Sequence, residues 1–233
     1  MLYSLITLIG IAACFVYVDR PVALYFHAID PGIAAVARFI TRFGVSTYYL
    51  LGTAAAAVAL WLWAHTLSEP TRAARLRAFA AMPLFLFLAI AVSGLVTDLL
   101  KVVFGRARPK LLFANETFGF DWWGTKADFW SFPSGHATTV VAIAAALYCL
   151  WPRFLPLYVG FAILVSLSRA VIGAHYVSDV IVAAFIAIAA TAYLRHVFER
   201  GGIALRDAAS GVPPSRSGLP WRARLGFGKA RGA

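Results

Sequence analysis

Apolar runs of roughly bilayer-crossing length recur along this chain, and nothing else in it limits the possible folds so tightly. In hydrocarbon no water satisfies a backbone N–H or C=O, so each run satisfies its own groups as a helix. The runs are roughly Leu2–Val18, Val45–Ala64, Ala78–Leu100, Ser134–Trp151, a fifth ending near Leu167, and Val177–Leu194. Composition agrees: 61% of residues are hydrophobic and 13% charged, against roughly 45–50% and 25% in soluble domains. Between the first two runs, Ile33, Val36, Ile40 and Phe43 share a helical face, with Arg38, Thr41 and Arg42 off it, a pattern suited to an interfacial helix. The expected fold is therefore all-α: six transmembrane helices with an interfacial helix between the first two. Asp19-Arg20-Pro21 is expected to end the first span, and Pro83 to fall in the first turns of the third. Residues 1–195 form one membrane domain, and residues 196–233 are read as a basic, disordered, cytoplasmic tail.

The net charge of +11 would suggest nucleic acid in a soluble protein. Here much of the excess lies in short connections and the tail, where the positive-inside bias accounts for it, and no nucleic-acid partner is expected. Six spans place both termini on the side of Arg72, Arg75, Arg77 and Arg153, which is then cytoplasmic. Lys101, Arg108 and Arg169 fall on the opposite side and break the charge bias; a bound anion would explain them. Cys14 and Cys149 lie in apolar runs and form no disulfide or zinc pattern. Ile11–Cys14 loosely resembles a lipoprotein cleavage box, but Met1–Ser4 has no basic n-region, so Cys14 is read as a packed residue.

Three separated segments meet at the outer ends of spans three to six. Lys101 ends the third span, and Pro109 keeps Arg108 out of helix. A point charge beside a bidentate fork suits phosphate, although two snorkelling basic residues would look the same. In Ser131-Phe132-Pro133-Ser134-Gly135-His136, either serine could cap a helix whose N–H groups face an anion, and Gly135 would let that anion approach. Finally, Ser168-Arg169 is followed by Gly173, His175 and Asp179. If helical, His175 and Asp179 share a face, so the carboxylate can hold one imidazole nitrogen and leave the other basic. A plain helix-end salt bridge is the other reading. Two histidines and an aspartate could bind zinc, but the three surrounding cations would repel it. No metal and no cofactor are expected.

Lys101-x6-Arg108-Pro109, Pro133-Ser134-Gly135-His136 and Ser168-Arg169-x5-His175-x3-Asp179 together resemble the three-part signature of the type 2 phosphatidic-acid phosphatase superfamily. That superfamily includes bacterial lipid phosphate phosphatases and, more distantly, vanadium haloperoxidases. The resemblance implies that His175 attacks phosphorus to give a phosphohistidine, and that Asp179 holds its other nitrogen. It implies that His136 protonates the leaving alkoxide and then activates water. Lys101, Arg108, Ser134, Gly135 and Arg169 would bind the phosphoryl oxygens. The implied protein is an integral lipid phosphatase of the inner membrane, with its site facing the periplasm.

A lipid phosphotransferase is the alternative enzyme; a transporter or scaffold without chemistry is the alternative of another class. Phosphatidic acid, phosphatidylglycerophosphate, polyprenyl pyrophosphate and lipid A phosphates all fit as substrates. The aromatic stretch 113–132 is either a lid or collar over the headgroup or an interfacial belt. The charge distribution generates a topological prediction. Cysteine labelling from outside should reach a cysteine placed at Asn115 and miss one placed at Ala74. The reverse pattern would overturn the orientation.

Overall fold

The structure is a computed structural model and describes residues 9–203 and 205–210. In chain order its helices are α1 (Ile9–His27), α2 (Pro31–Ile40), α3 (Ser46–Thr66), α4 (Pro70–Phe104), α5 (Pro109–Asn115), α6 (Gly135–Leu150), α7 (Leu155–Val171), α8 (Val177–Arg200) and α9 (Leu205–Ser210). A 3₁₀ turn, Thr41–Gly44, joins α2 to α3. Among the described residues there is no strand, only an isolated bridge between Arg106 and Phe120. Five helical stretches are long and apolar enough to cross a membrane: Ile9–His27, Pro31–Thr66, Pro70–Phe104, Pro152–Val171 and Val177–Arg200. Helix α6, with 16 residues, is a shorter apolar helix. At 1.5 Å per residue it spans ~24 Å, less than a ~30 Å hydrocarbon core.

The first helix does not stop at Asp19-Arg20-Pro21. It widens into a π turn over Cys14–Val18 and runs on to His27. The π turn rearranges the hydrogen bonds just before Pro21, where a proline lacks its own N–H. Asp19 is fully buried and bonded, so it breaks nothing. Likewise α4 begins at Pro70, in the N1 position that proline favours, so Arg72, Arg75 and Arg77 are helical. Pro83 is therefore interior to α4 and not in its first turns. At the far end α8 runs past 195 to Arg200, and α9 follows. Phe198 and Leu205 are buried in one cluster with Phe85, which holds this extension onto the bundle. The rest of the basic tail lies outside the described residues.

Helix α6 sits at the centre, packed against α4, α7 and α8. Its buried positions include Ala137, Thr138, Val140, Ala142 and Ala146. Small side chains let apolar helices close on one another where water gives no hydrophobic drive. The Thr97 and Thr138 hydroxyls, 2.9 Å apart, hydrogen-bond α4 to α6. Helix α3 packs on α4 and otherwise leaves Tyr48, Leu51, Val58 and Trp61 exposed, as a lipid-facing helix does. Helices α4 and α7 end, and α6 and α8 begin, on the same side of the bundle. Four helix ends therefore converge, two of them N-termini.

Candidate active site

Each segment reaches this end for a local reason. Gly105, in the left-handed region at φ 55°, stops α4 four residues after Lys101. A Cβ there would lie 1.7 Å from the Asp121 carbonyl oxygen, so the turn requires glycine. Arg108 is extended ahead of Pro109, and its guanidinium is held by the Ala127, Ala174 and Trp130 carbonyls. Ser134 occupies the N-cap position of α6 but makes no capping bond; its Oγ is buried with no partner among the described residues. Gly173, at φ 64°, ends α7 and turns the chain toward His175. The Arg169 carbonyl accepts from the backbone N–H groups of Ala174 and His175, which fixes that turn.

The His175 ring is buried. Its Nδ1 lies 2.6 Å from the Ser131 carbonyl oxygen. A carbonyl only accepts, so Nδ1 carries the proton and Nε2 keeps a free lone pair. Asp179 Oδ2 is farther from Nδ1, at 3.7 Å. The carboxylate thus stands behind the ring as a counter-charge, while the Ser131 backbone makes the short bond. Asp179 accepts from the Ser131 hydroxyl at 2.6 Å, from the Tyr176 N–H at 2.8 Å, and from Arg106. The Tyr176 contact also caps the N-terminus of α8. Burial pushes the His175 imidazole down to about 4; Asp179 pulls it up, and Arg169 and Arg108 push it further down. At neutral pH the ring is uncharged, the form that can attack.

Lys101 Nζ pairs with Asp98 at 2.7 Å and lies close to Gly135, where a Cβ would come within 3.1 Å of it. Arg169 is nearly buried and donates from Nη1 to Thr41 Oγ1 at 2.6 Å. Its Nε has no partner among the described residues. Unpartnered buried donors ask for an acceptor, and Ser134 Oγ and Arg169 Nε both belong to the set expected to bind phosphate. His136 opens α6 in the field of Arg169, His175, Lys101 and Arg108. It lines a cavity of about 410 Å³ that passes Lys101, Gly135, Gly94 and Gly44 and becomes apolar toward Leu50 and Ile90. Of the motif residues, Lys101, Gly135 and His136 line this space, polar at the helix ends and apolar between α3 and α4, and Arg108, Arg169 and His175 are near enough to His136 to act on its charge.

Sequence reasoning missed several contributors. Arg106 is completely buried and joins Asp179 to Asp19 of α1. Its guanidinium lies 4.3 Å from the Tyr176 ring centroid and 4.7 Å from that of Phe15. Phe118 and Phe120 pack on Phe15, so part of the aromatic stretch walls this arginine, while Trp122 and Trp123 stay exposed. A lone carboxylate within an apolar run was the available signal for Asp19. Thr41 and Gly44, from the turn before α3, carried no signal in the linear sequence.

Three comparisons bear on this arrangement. A family model described as the PAP2 superfamily matches residues 82–202, just over half the chain. Two lipid A 1-phosphatases, from Rhizobium johnstonii and Rhizobium etli, are 38% and 37% identical over 129 and 136 residues. Those alignments cover 55% and 58% of this chain and 53% and 59% of the relatives, so the chain spans little more than half their length. The fold is similar to a PAP2-type phosphatidylglycerolphosphate phosphatase from Bacillus subtilis, with TM-score 0.59 and 20% identity, over 84% of this chain and 94% of that one. It is also similar to LpxE of Aquifex aeolicus, with TM-score 0.51 and 20% identity, over 76% and 93%.

Gly44 offers a direct test of the site's packing. A Cβ there would lie 2.7 Å from His136 Cδ2 and 2.8 Å from its Cβ, so Gly44→Ala displaces the His136 ring. A misplacement of about 1 Å can cost ~10²-fold in rate. Turnover of a phosphate monoester should fall by that order in Gly44→Ala. Gly52→Ala, whose Cβ meets open space, should leave it unchanged. Equal rates in the two variants would show that His136 placement does not matter.

Proposed function

The chain belongs to the PAP2 superfamily, and on that footing we propose that it is an integral-membrane phosphatase that removes a terminal phosphate from a lipid. The observation that carries the reading is the buried His175, whose Nδ1 proton is committed to the Ser131 carbonyl and whose Nε2 is therefore free. In the proposed reaction Nε2 attacks phosphorus, and the bond to the leaving alkoxide breaks. His136 donates a proton to that alkoxide. His136, now neutral, takes a proton from water, whose oxygen attacks the phosphohistidine and releases phosphate and the free imidazole. Lys101, Arg108 and Arg169, with the Ser134 hydroxyl and the N–H groups at the start of α6, neutralise the equatorial oxygens. Most of the catalysis in phosphoryl transfer lies in such positioning and charge stabilisation. These side chains supply the positive charge a metal would bring, so the reaction is proposed to be metal-independent.

The cavity supports a lipid rather than a soluble phosphate. It is polar beside His136 and Lys101 and apolar toward Leu50, Ile90 and Leu95, as a headgroup with attached chains requires. The identities with lipid A 1-phosphatases favour a lipid A-type phosphate within this class. The topology that goes with this reading has six spans, α1, α3, α4, α6, α7 and α8, with α2 lying at the interface. The site then faces the periplasmic side of the inner membrane.

Phosphate release in detergent, with EDTA present, should be largest for a lipid A-type 1-phosphate within a panel that includes phosphatidylglycerophosphate, phosphatidic acid and polyprenyl pyrophosphate. General acid–base help is worth ~10²–10⁴-fold. His136→Ala should lose that much on lipid esters and much less on an aryl phosphate, whose leaving group needs no proton. Activity that disappears with EDTA and returns with a divalent ion would contradict the mechanism. Equal losses on both substrates would contradict the role of His136.

A further inference from the structure

The reacting residues do not stand alone: a carboxylate of the first helix is built into their support, outside the residues 82–202 that the family model matches. Asp19 is buried, with a 1% exposed surface. Its Oδ1 accepts from the Ser178 N–H at 2.9 Å, a free donor at the start of α8. Its Oδ2 accepts from the Ser178 hydroxyl at 2.5 Å and from Arg106 Nη2 at 2.8 Å. Arg106 Nη1 donates in turn to Asp179 and, at 2.7 Å, to Ser178 Oγ. Asp19 and Asp179 therefore share one guanidinium, with the side chains of all three excluded from solvent.

The charges decide what this sharing does. One guanidinium and two carboxylates leave the cluster with a net charge of −1. Without Asp19, Arg106 would cancel Asp179, and the cluster would be neutral. When His175 attacks, its ring becomes cationic, carrying the Nδ1 proton and the new N–P bond. The groups facing that ring include Arg169 from α7, Arg108 from the linker and His136 from α6, none of which stabilises a cation. The Asp179 side offers the negative charge, and Asp19 is what keeps it uncancelled. We infer that Asp19 is a positioning residue for the reaction: acting through Arg106 and Ser178, it leaves Asp179 free to serve as the counter-charge of His175. The role rests on the proposed function of His175, but its physical core, the charge felt by the ring, is measurable without turnover.

The test is the NMR titration of the His175 ring in detergent-solubilised protein, assigned by comparison with His175→Ala. In Asp19→Asn the carbonyl oxygen keeps an acceptor for Ser178 and the negative charge is lost. An opposite charge nearby favours a protonated ring, by about one unit or more at close range. The His175 titration should therefore move to lower pH. A merely structural role would do the opposite, because loosened packing admits water and returns a buried imidazole toward its ordinary value. Removing a partner that orients a metal-bound histidine typically costs ~10–100-fold in activity, and the same order is expected here. The kcat should fall within that range, with KM little changed.

A second variant covers the case in which Asp19→Asn does not fold. Asp19→Asn combined with Arg106→Gln removes one charge of each sign and keeps the net −1, and removing both members of a buried pair costs less than leaving one alone. Its His175 titration should stay at the wild-type position. An unmoved or upward-moving titration in Asp19→Asn, or a clearly displaced one in the double variant, would overturn the inference. Wild-type phosphate release from lipids reports separately on the proposed function, so the two failures cannot be confused.

Discussion

A charge enclosed away from water is tolerated only when it is paired and hydrogen-bonded, and Arg106 is the point where this protein meets that condition. It has no exposed surface, yet it sits between helices α1 and α8 and holds one carboxylate from each. The Phe15, Phe118, Phe120 and Tyr176 rings close around it. Removing Arg106 would leave two buried carboxylates without their partner, and removing either carboxylate would change the net charge of the cluster. The arrangement therefore fixes the first helix, the linker after α4 and the start of α8 in one relation. Ser131 extends it: its hydroxyl binds Asp179 and its carbonyl sets the tautomer of His175. The chemistry expected of His175 depends on this buried framework as much as on the imidazole.

The helices supply the second requirement, which is access. Alanines and threonines on α6 allow α4, α7 and α8 to close around a helix of only 16 residues. Because α6 is short, its N-terminus and His136 lie where longer helices end and polar linkers begin. Gly44 lets the turn before α3 come against His136, and Thr41 of the same turn holds Arg169. The cavity between α3 and α4 leads from these groups into apolar surroundings. On the proposed reading, polar contacts would position the headgroup end, and the apolar walls would receive what is attached to it.

The sequence made the helical class legible because apolar runs of that length have few other solutions in hydrocarbon. It also made the motif residues legible, because Lys101, Arg108, His136, Arg169, His175 and Asp179 are charged or titratable groups beside apolar runs. Boundaries were less legible. Asp19-Arg20-Pro21 looks like a stop signal in linear form, but three hydrogen bonds from α8 and Arg106 consume the acidic side chain, and a π turn precedes the proline. Pro70 opens α4 earlier than the hydropathy of residues 65–77 suggests, since arginines are good helix formers. The Asp19–Arg106 pair joins positions 87 residues apart, and no local spacing encodes it. The division of labour at His175 was also hidden: four-residue spacing put Asp179 near the ring, but the turn at Gly173 gives the short contact to the Ser131 backbone.

The central claim is that the Nε2 of His175 carries the phosphoryl group. The measurement that addresses it most directly is mass spectrometry of the protein quenched at alkaline pH during turnover of a labelled phosphate ester. The account predicts a phosphoryl group on His175, enriched in His136→Ala with an aryl phosphate and absent from His175→Ala. An adduct on His136, or undiminished turnover by the His175→Ala protein, would contradict it.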